Sequence, residues 1–423
     1  MWKPPYAKHH SCDYVHEKST KSASALRRIA DLQVLPILLV GFASYQLDRT
    51  NISSALTGGL ADDISVDQNT INLGNQLMFL GVIILEIPSN MVLHKVGPRW
   101  WIGGQVFIFG VIAALQIFIR NKTGFLLTRT ILGLTEAGYI PGAMFTLSTW
   151  YTDVEITKRI AVFFFGMFGG TAVSPLLGAG LLKLDGKGGL SGWQWIFLVE
   201  GIWSVIISLI ILFLLPERAA YQTESDTATD SDSLASKTVP RQSIPLLTVW
   251  KTLSNIQKWP HFLATACVFS TWSPLTTYTP SIIMSLGFSR IHANALAAVG
   301  GFLTLPVVMF FAWMSDKTNK RGLTVMAAIS AYAIALVALK TVQPHVGKWS
   351  KFGLWTTVNG LAVGYHPIHN AWIQTNSRSP EERSIGLAMF IAGLILTGLQ
   401  ELIYFLQNRS IKKKSGLEAP CIL

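Results

Sequence analysis

Residues 90–99 read NMVLHKVGPR and residues 312–321 read AWMSDKTNKR, and this pair of segments decides the fold. Each segment starts at a small or polar residue, places a polar and then a basic residue four and five positions later, and ends in further positive charge. Each also follows the second apolar run of its own half of the chain. A basic turn that recurs in this way predicts a duplicated unit of helices.

The apolar runs around these segments have the length of membrane-spanning helices. Half of the residues are hydrophobic and only 13% are charged, whereas soluble domains carry about 25% charged residues. About 20 apolar residues cross a bilayer. We predict eleven spans, over residues 34–53, 73–93, 100–119, 124–149, 160–182, 195–215, 260–283, 294–315, 322–340, 352–376 and 384–406.

A polar segment divides these spans into a block of six and a block of five. Residues 218–245 are rich in Ser, Thr, Asp and Ala without hydrophobic periodicity, which predicts a solvated linker. The predicted organisation is a cytoplasmic N-terminal segment 1–33, a six-helix bundle 34–215, a cytoplasmic linker 216–259, a C-terminal helix bundle 260–406 and a basic tail 407–423. The fold class is therefore an all-α integral membrane protein.

The basic residues predict the orientation of this fold. If the N-terminus is cytoplasmic, 20 Lys and Arg residues lie in the head, linker and inner loops, and 9 lie in the outer loops. Because Lys and Arg gather on the cytoplasmic side, the sequence predicts a multi-pass protein with an inner N-terminus. We also expect a monomer in the plasma membrane. The net charge of +11 is thus an orientation signal, and no nucleic-acid partner is predicted.

Short motifs add a resemblance to a known family. The two opening segments resemble the loop signature of the major facilitator superfamily, Gly-x-x-x-Asp-Arg-x-Gly-Arg-Arg. The second copy keeps Asp316, Lys317 and Arg321, whereas the first copy has Asn90 for the first glycine and His94 for the acid, followed by Lys95, Gly97 and Arg99. The runs LDRTNI at 47–52, EIPSN at 86–90 and GWQWIF at 192–197, with the glycines between 133 and 138, resemble the fungal anion:cation symporters of the allantoate permease family.

The resemblance implies a transport function and two six-helix bundles. It implies proton-coupled import, by alternating access, of a small organic anion such as a carboxylate, a vitamin, a ureido acid or a sulfur-containing anion. It also implies twelve helices, so we expect the sequence to be truncated or misassembled where residues 412–423 replace a final helix. An uncoupled facilitator, an exporter and a membrane sensor of nutrients are the alternatives.

Polar side chains concentrate in every third predicted span. Ionisable groups inside a membrane are costly, so each is expected to face a cavity or a partner. Arg129 and Glu136 lie two turns apart on one face of the fourth span, where a cation attracts an anion and an acid carries a proton. Tyr278 in the seventh span and His366, His369 and Asn370 in the tenth complete the predicted pathway.

Other polar groups are assigned to gates. Glu86 is predicted to pair with a loop arginine, with a proton site as the alternative. Asp48 and Arg49 are placed at the outer mouth as an interfacial pair, with anion steering as the alternative. Pro274 and Pro280 predict a broken seventh helix.

The sequence shows no pattern of an enzyme. His366 and His369 lack a third ligand for a metal, the remaining histidines are scattered, and no nucleophile motif or phosphate-binding loop is present. We therefore predict no metal, no cofactor and no catalysis.

Overall fold

The computed structural model describes residues 27–151, 153–216, 259–318 and 320–375, and all regular structure within these ranges is helical. The first block contains α1 (Leu35–Thr57), α2 (Gln68–Val96), α3 (Pro98–Leu115), α4 (Lys122–Glu136), α5 (Tyr139–Trp150), α6 (Asp153–Leu181) and α7 (Gly192–Leu214). The second block contains α8 (Trp259–Ser285), α9 (Arg290–Thr318), α10 (Arg321–Val342), α11 (Lys348–Leu361) and α12 (His366–Thr375).

Helices cover the first ten predicted spans. Among the described residues, six helical segments are long and apolar enough to cross a membrane by length and composition. The all-α membrane fold is therefore confirmed. The eleventh span at 384–406, the basic tail and most of the linker lie outside the described residues, and the predicted domain boundaries stay predictions.

Polar side chains fix where several helices begin. The Asp67 carboxylate accepts the Thr70 backbone N–H at 3.0 Å ahead of α2, and the Asn121 side chain accepts the Gly124 N–H at 2.8 Å ahead of α4. Ser191 and Gln194 form a reciprocal capping box ahead of α7. Such caps satisfy N–H groups that have no partner within the helix.

Two predicted spans are interrupted in the structure. The fourth breaks after Glu136, where Gly138 adopts a left-handed conformation with φ of 89° before α5 begins. The tenth breaks at residues 362–365, between α11 and α12. Apolar periodicity continues across both breaks, so it does not reveal them.

The predicted break in the seventh span is wrong. α8 runs from Trp259 to Ser285 with Pro274 and Pro280 both inside it. A proline removes one backbone hydrogen bond, and a membrane helix tolerates this loss when neighbouring groups satisfy the freed carbonyl.

Aromatic packing holds the first block together, and contacts between helices join it to the second. Phe42 of α1 stacks on Phe163 of α6 with ring centroids 4.6 Å apart, and Tyr45 stacks on Tyr139 at 5.4 Å. Between the blocks, α6 packs against α9 and α1 packs against α8. α1 therefore contacts both blocks, which makes it the natural place for a shared site.

Candidate functional site

Arg49 lies at the centre of a buried polar site in the first block. Its Nε is 3.3 Å from Glu136 Oε2, and the two side chains are 14% and 0% exposed. Its Nη1 donates to the Tyr45 hydroxyl at 2.5 Å. The guanidinium carbon also lies 4.9 Å and 4.8 Å from the ring centres of Tyr45 and Phe79. An arginine held by a carboxylate and two rings is oriented before any ligand arrives.

The predicted position of Asp48 and Arg49 at an outer mouth is wrong. α1 continues to Thr57, two turns beyond Arg49, and Asp48 is fully buried. Asp48 accepts a hydrogen bond from the Ser204 hydroxyl at 2.6 Å. The first predicted span ends at residue 53, whereas the helix continues through Ser54 and Ala55 to Thr57.

A cavity of about 460 Å³ opens beside Arg49. Glu136 and Glu86 both line it, so the second acid faces the same space as the pair. Apart from Tyr45, the other side chains of the lining are apolar, namely Phe79, Val82, Ile83, Ile140 and Pro141. A guanidinium between two acids in apolar walls can bind an anion once one acid is protonated.

Arg129 lies on the same helix as Glu136 but is not part of the lining of this cavity. Its side chain is fully buried, its Nη1 approaches the Met78 sulfur at 3.8 Å, and its Nε and Nη2 have no hydrogen-bond partner. The structure thus places Arg49 at the cavity and Arg129 behind it, as a source of positive charge near Asp48 and Glu136.

A second, neutral cavity of about 560 Å³ lies between the two blocks. Asn359 donates to the Thr279 hydroxyl at 3.0 Å on one of its walls. Hydroxyl groups of both blocks line it, with Thr50, Ser53 and Thr171 from the first block and Thr276, Thr279 and Thr304 from the second. Such a lining hydrogen-bonds a neutral polar group without any fixed charge.

The two blocks are joined at the end of the molecule where α1 finishes, here called the Thr57 end. Asn294 donates to the Thr57 hydroxyl at 2.6 Å, and Tyr278 donates to Asn72 at 2.5 Å. Arg290 and Asp185 form an ion pair at 2.7 Å. The hydrogen bond from Arg290 holds the pKa of Asp185 below its usual value, so this pair stays charged at neutral pH.

The remaining predicted pathway residues fall in different places. Tyr278 belongs to the contacts at the Thr57 end. His366 and His369 are buried at the start of α12, where the His366 ring centre lies 6.0 Å from Phe164 and that of His369 lies 5.7 Å from Tyr365. The structure does not bring these histidines to Arg49. Asn370 belongs to α12, and its side chain is outside the description.

The two loop motifs occupy the opposite end of the molecule. In the first, Asn90 is half-buried, Lys95 is exposed and Gly97 has φ of 97° at the turn into α3; the His94 side chain is not described. Arg99 donates to the carbonyl groups of Leu212 and Phe213 at 2.5 and 3.4 Å, which satisfies the end of α7.

The second motif lies between α9 and α10. Asp316 and Lys317 are exposed, and Lys317 Nζ lies 4.8 Å from the ring centre of Trp313. Arg321 is partly buried at the first residue of α10. The duplicated basic turns therefore occupy equivalent positions, each after the second span of its block.

Two blocks of helices, with a charged cavity in one and a neutral polar cavity between them, define a secondary transporter of small solutes. The comparisons with known proteins agree. The family model described as Major Facilitator Superfamily matches residues 38–399. The chain belongs to the major facilitator superfamily.

Relatives support the same assignment, and solved structures share the fold. The chain is 31% identical to the "Putative tartrate transporter" of Agrobacterium vitis over 93% of this chain and 97% of that protein. It is 29% identical to "MFS-type transporter cnsO" of Penicillium expansum over 89% and 76%. Its fold matches a bacterial homolog of the human lysosomal transporter Spinster in an inward-facing conformation, with a TM-score of 0.67 at 19% identity over 91% and 85% of the two chains. A D-xylose-proton symporter gives a TM-score of 0.67 at 12% identity over 86% and 88%.

Proposed function

We propose that this transporter imports a small organic anion together with protons. The observation that carries the proposal is the contact between Arg49 and Glu136 beside a cavity. Among the relatives, the name of the Agrobacterium vitis protein specifies tartrate, an organic dianion. We assign the chain to the allantoate permease family within the superfamily, on the motifs that contain Asp48, Arg49 and Glu86.

The contact suggests how an anion and a proton are coupled. When Glu136 is ionised, it occupies Arg49 and competes with any other carboxylate. A proton on Glu136 removes this competitor and frees the guanidinium for the anion. The anion and the proton are then bound together, and neither binds well alone. Glu86 lines the same cavity and is the second acid that can accept the proton.

The neutral cavity gives the anion a second point of contact. The charged end of the substrate binds at Arg49, and hydroxyl or amide groups of the substrate bind the Thr and Asn side chains between the blocks. We place the N-terminus in the cytoplasm, the Thr57 end outside and the monomer in the plasma membrane. Rocking of the two blocks about these sites gives alternating access.

Uptake into cells tests the coupling. Cells that express the chain are given labelled tartrate, allantoate, nicotinate, pantothenate or sulfate at outside pH 5 and 7.5. We expect accumulation at pH 5 that a proton uncoupler abolishes. Uptake that equilibrates without accumulating indicates a facilitator, outward movement indicates an exporter, and binding without movement indicates a sensor; each of these results contradicts the proposal.

Glu136→Gln tests whether Glu136 carries the proton. A glutamine retains the shape of the side chain but binds no proton, so accumulation is lost while exchange of labelled for unlabelled substrate continues. Asp62→Asn is the matched control, because Asp62 is an exposed acid. If accumulation survives in Glu136→Gln, Glu86 carries the proton instead, and Glu86→Gln is then expected to lose accumulation.

A further inference from the structure

The break between α4 and α5 leaves a backbone carbonyl without its helical partner. The Ala137 carbonyl oxygen would accept from the residue four positions later, but that residue is Pro141, which has no N–H. Gln105 of α3 takes the place of this donor, because its side-chain Nε2 donates to the Ala137 oxygen. Both residues are buried, so this hydrogen bond satisfies a carbonyl that is shielded from solvent.

Ser89 of α2 completes the contact at the break. Gln105 Nε2 also donates to Ser89 Oγ at 3.0 Å, and the Trp101 indole N–H donates to the same oxygen at 3.0 Å. A Cβ added at the left-handed Gly138 would overlap the Ser89 hydroxyl, so α2 lies directly against the break. Gln105, Ser89 and the Ala137 carbonyl are here called the Gln105 clamp.

The residues on either side of the break both reach the Arg49 site. Glu136, just before Ala137, lies 3.3 Å from Arg49 Nε. Tyr139, just after the break, stacks on Tyr45 with ring centroids 5.4 Å apart, and the Tyr45 hydroxyl accepts from Arg49. The clamped carbonyl lies between these two contacts in the chain, so a rotation of the backbone at the break would displace both.

The second block has a break in the equivalent span but no amide at the matching position. At that break, a Cβ added at Gly364 would lie 3.1 Å from the Phe311 ring. Phe311 follows Ser89 by 222 residues, which is also the separation of the duplicated turns at 90 and 312. The same separation pairs Gln105 with Ala327, and an alanine side chain donates no hydrogen bond. The break therefore belongs to both blocks, whereas the amide that holds it belongs to the block with the charged cavity.

We propose that Gln105 is a positioning residue for the coupling of anion and proton, which holds the helix break so that Glu136 meets Arg49. This role in transport rests on the proposed function, whereas the hold on the break does not. Gln105 does not line the cavity beside Arg49, so it acts through the Ala137 carbonyl. Without this donor, the break turns more freely, the Glu136 carboxylate occupies Arg49 for less of the time, and an anion binds without waiting for a proton.

A neutral substitution at Gln105 separates position from charge. The charged groups near Glu136 are Arg49 and Asp48 on α1, Glu86 on α2 and Arg129 on α4. Gln105→Leu alters none of these charges and approximately keeps the side-chain volume, so a change at Glu136 arises from the backbone. Gln116→Leu is the matched control, because Gln116 is a buried glutamine in the turn after α3 whose side chain has no hydrogen-bond partner.

Distances across the break test the clamp. Spin labels at Thr123→Cys on α4 and Ser148→Cys on α5, both exposed positions, report the angle between the two helices in nanodiscs, with the native cysteines replaced by serine. We expect Gln105→Leu to broaden the distance distribution, because the break loses its hydrogen bond, and Gln116→Leu to leave it unchanged. If Gln105→Leu does not fold, Ser89→Ala decides, because it removes the second hydrogen bond of the same amide.

Exchange in proteoliposomes tests the consequence for coupling. Labelled tartrate outside exchanges for unlabelled tartrate inside, with equal pH on both sides, at pH 5 and at pH 7.5. In the unsubstituted protein the rate should fall at pH 7.5, where Glu136 competes for Arg49. In Gln105→Leu, the ratio of the rate at pH 7.5 to the rate at pH 5 should rise about fivefold, the scale of one weakened ion pair. A residue with a merely structural role would lower both rates and leave this ratio unchanged.

Two results overturn the role of Gln105. A distance distribution in Gln105→Leu that is as narrow as in the control shows that the amide does not hold the break. A broadened distribution with an unchanged ratio of rates shows that the break does not position Glu136. An unsubstituted protein that exchanges neither tartrate nor the other labelled anions counts against the proposed function alone, and the distances still decide whether Gln105 holds the break.

Discussion

At the scale of single residues, the site depends on the planar shape of the Arg49 guanidinium as much as on its charge. Glu136 lies on one edge, the Tyr45 hydroxyl accepts from Nη1, and the rings of Tyr45 and Phe79 lie against it. A lysine offers the same charge without the planar fork or the face that stacks on a ring. The site therefore requires arginine.

Arg49→Lys is expected to reduce the initial rate of anion uptake at least tenfold, about 1.4 kcal/mol. The lysine ammonium cannot keep both the Glu136 and the Tyr45 contacts while it binds a carboxylate. The measurement is uptake at pH 5, normalised to the amount of protein in the membrane. Arg120→Lys is the control, because Arg120 is an exposed arginine near the start of α4. An Arg49→Lys rate equal to that of the control would show that only the charge matters.

At the scale of helices, the site depends on the close approach of α2 and α4. A Cβ added at Gly133 would lie 1.9 Å from the Met78 carbonyl oxygen, and one added at Gly81 would lie 2.9 Å from the Leu134 nitrogen. Glycines allow helix backbones to approach in this way. The approach brings Glu86 of α2 and Glu136 of α4 to one cavity. The left-handed Gly138 then ends the helix just after Glu136, which places the acid at a helix terminus.

Gly133→Ala is expected to destabilise the protein by about 3 kcal/mol, because the contact is with backbone that cannot rotate away. The measurement is the Tm in nanodiscs, together with the yield of folded protein. Gly104→Ala is the matched control, since a Cβ added at this helical glycine meets no atom within 4 Å. An equal Tm for the two variants would show that α2 and α4 separate easily.

At the scale of the whole molecule, hydrogen bonds and an ion pair hold the blocks together at the Thr57 end. The contacts are Asn294 to Thr57, Tyr278 to Asn72 and Arg290 to Asp185. They must break for this end to open during transport. The Arg290–Asp185 pair is partly exposed, so its contribution is screened by solvent. The buried contact of Asn294 with Thr57 and the partly buried contact of Tyr278 with Asn72 provide the remainder.

Arg290→Gln is expected to shift the population towards a state that is open at the Thr57 end. Spin labels at Lys187→Cys and Thr341→Cys, in a background with the native cysteines replaced by serine, report the distance between the blocks. The variant should show a larger fraction of long distances. The control is Arg120→Gln with the same two spin labels, because Arg120 lies outside the contact. An unchanged distance distribution would show that the ion pair does not hold the blocks together.

The same spin-label distances measure how the Arg290–Asp185 ion pair depends on pH. The pKa of Asp185 is lowered, so the stabilisation is fully present above the ordinary aspartate pKa of about 3.9 and is lost as the pH falls through the lower pKa in the folded state. Between pH 7.5 and 5, Asp185 contributes no change in the distances. A shift between pH 7.5 and 5 that disappears in Asp185→Asn would contradict this assignment.

The sequence by itself determined the helical membrane class, the division into two blocks and the superfamily. Apolar runs of bilayer length depend only on local composition, and the repeated turns at 90–99 and 312–321 are local patterns. The placement of Arg129 and Glu136 on the same helix also followed from sequence, because a helix has a known period. These features need no knowledge of which helices meet.

Only the tertiary structure decided the composition of the site. The depth of Asp48 and Arg49 depends on where α1 ends, and small polar residues that resemble a loop continue the helix because other helices bury them. The contact of Arg49 with Glu136, the position of Arg129 behind the cavity and the separation of His366 and His369 from both depend on helix packing. Packing joins residues far apart in the chain, and periodicity within one helix carries no information about its neighbours.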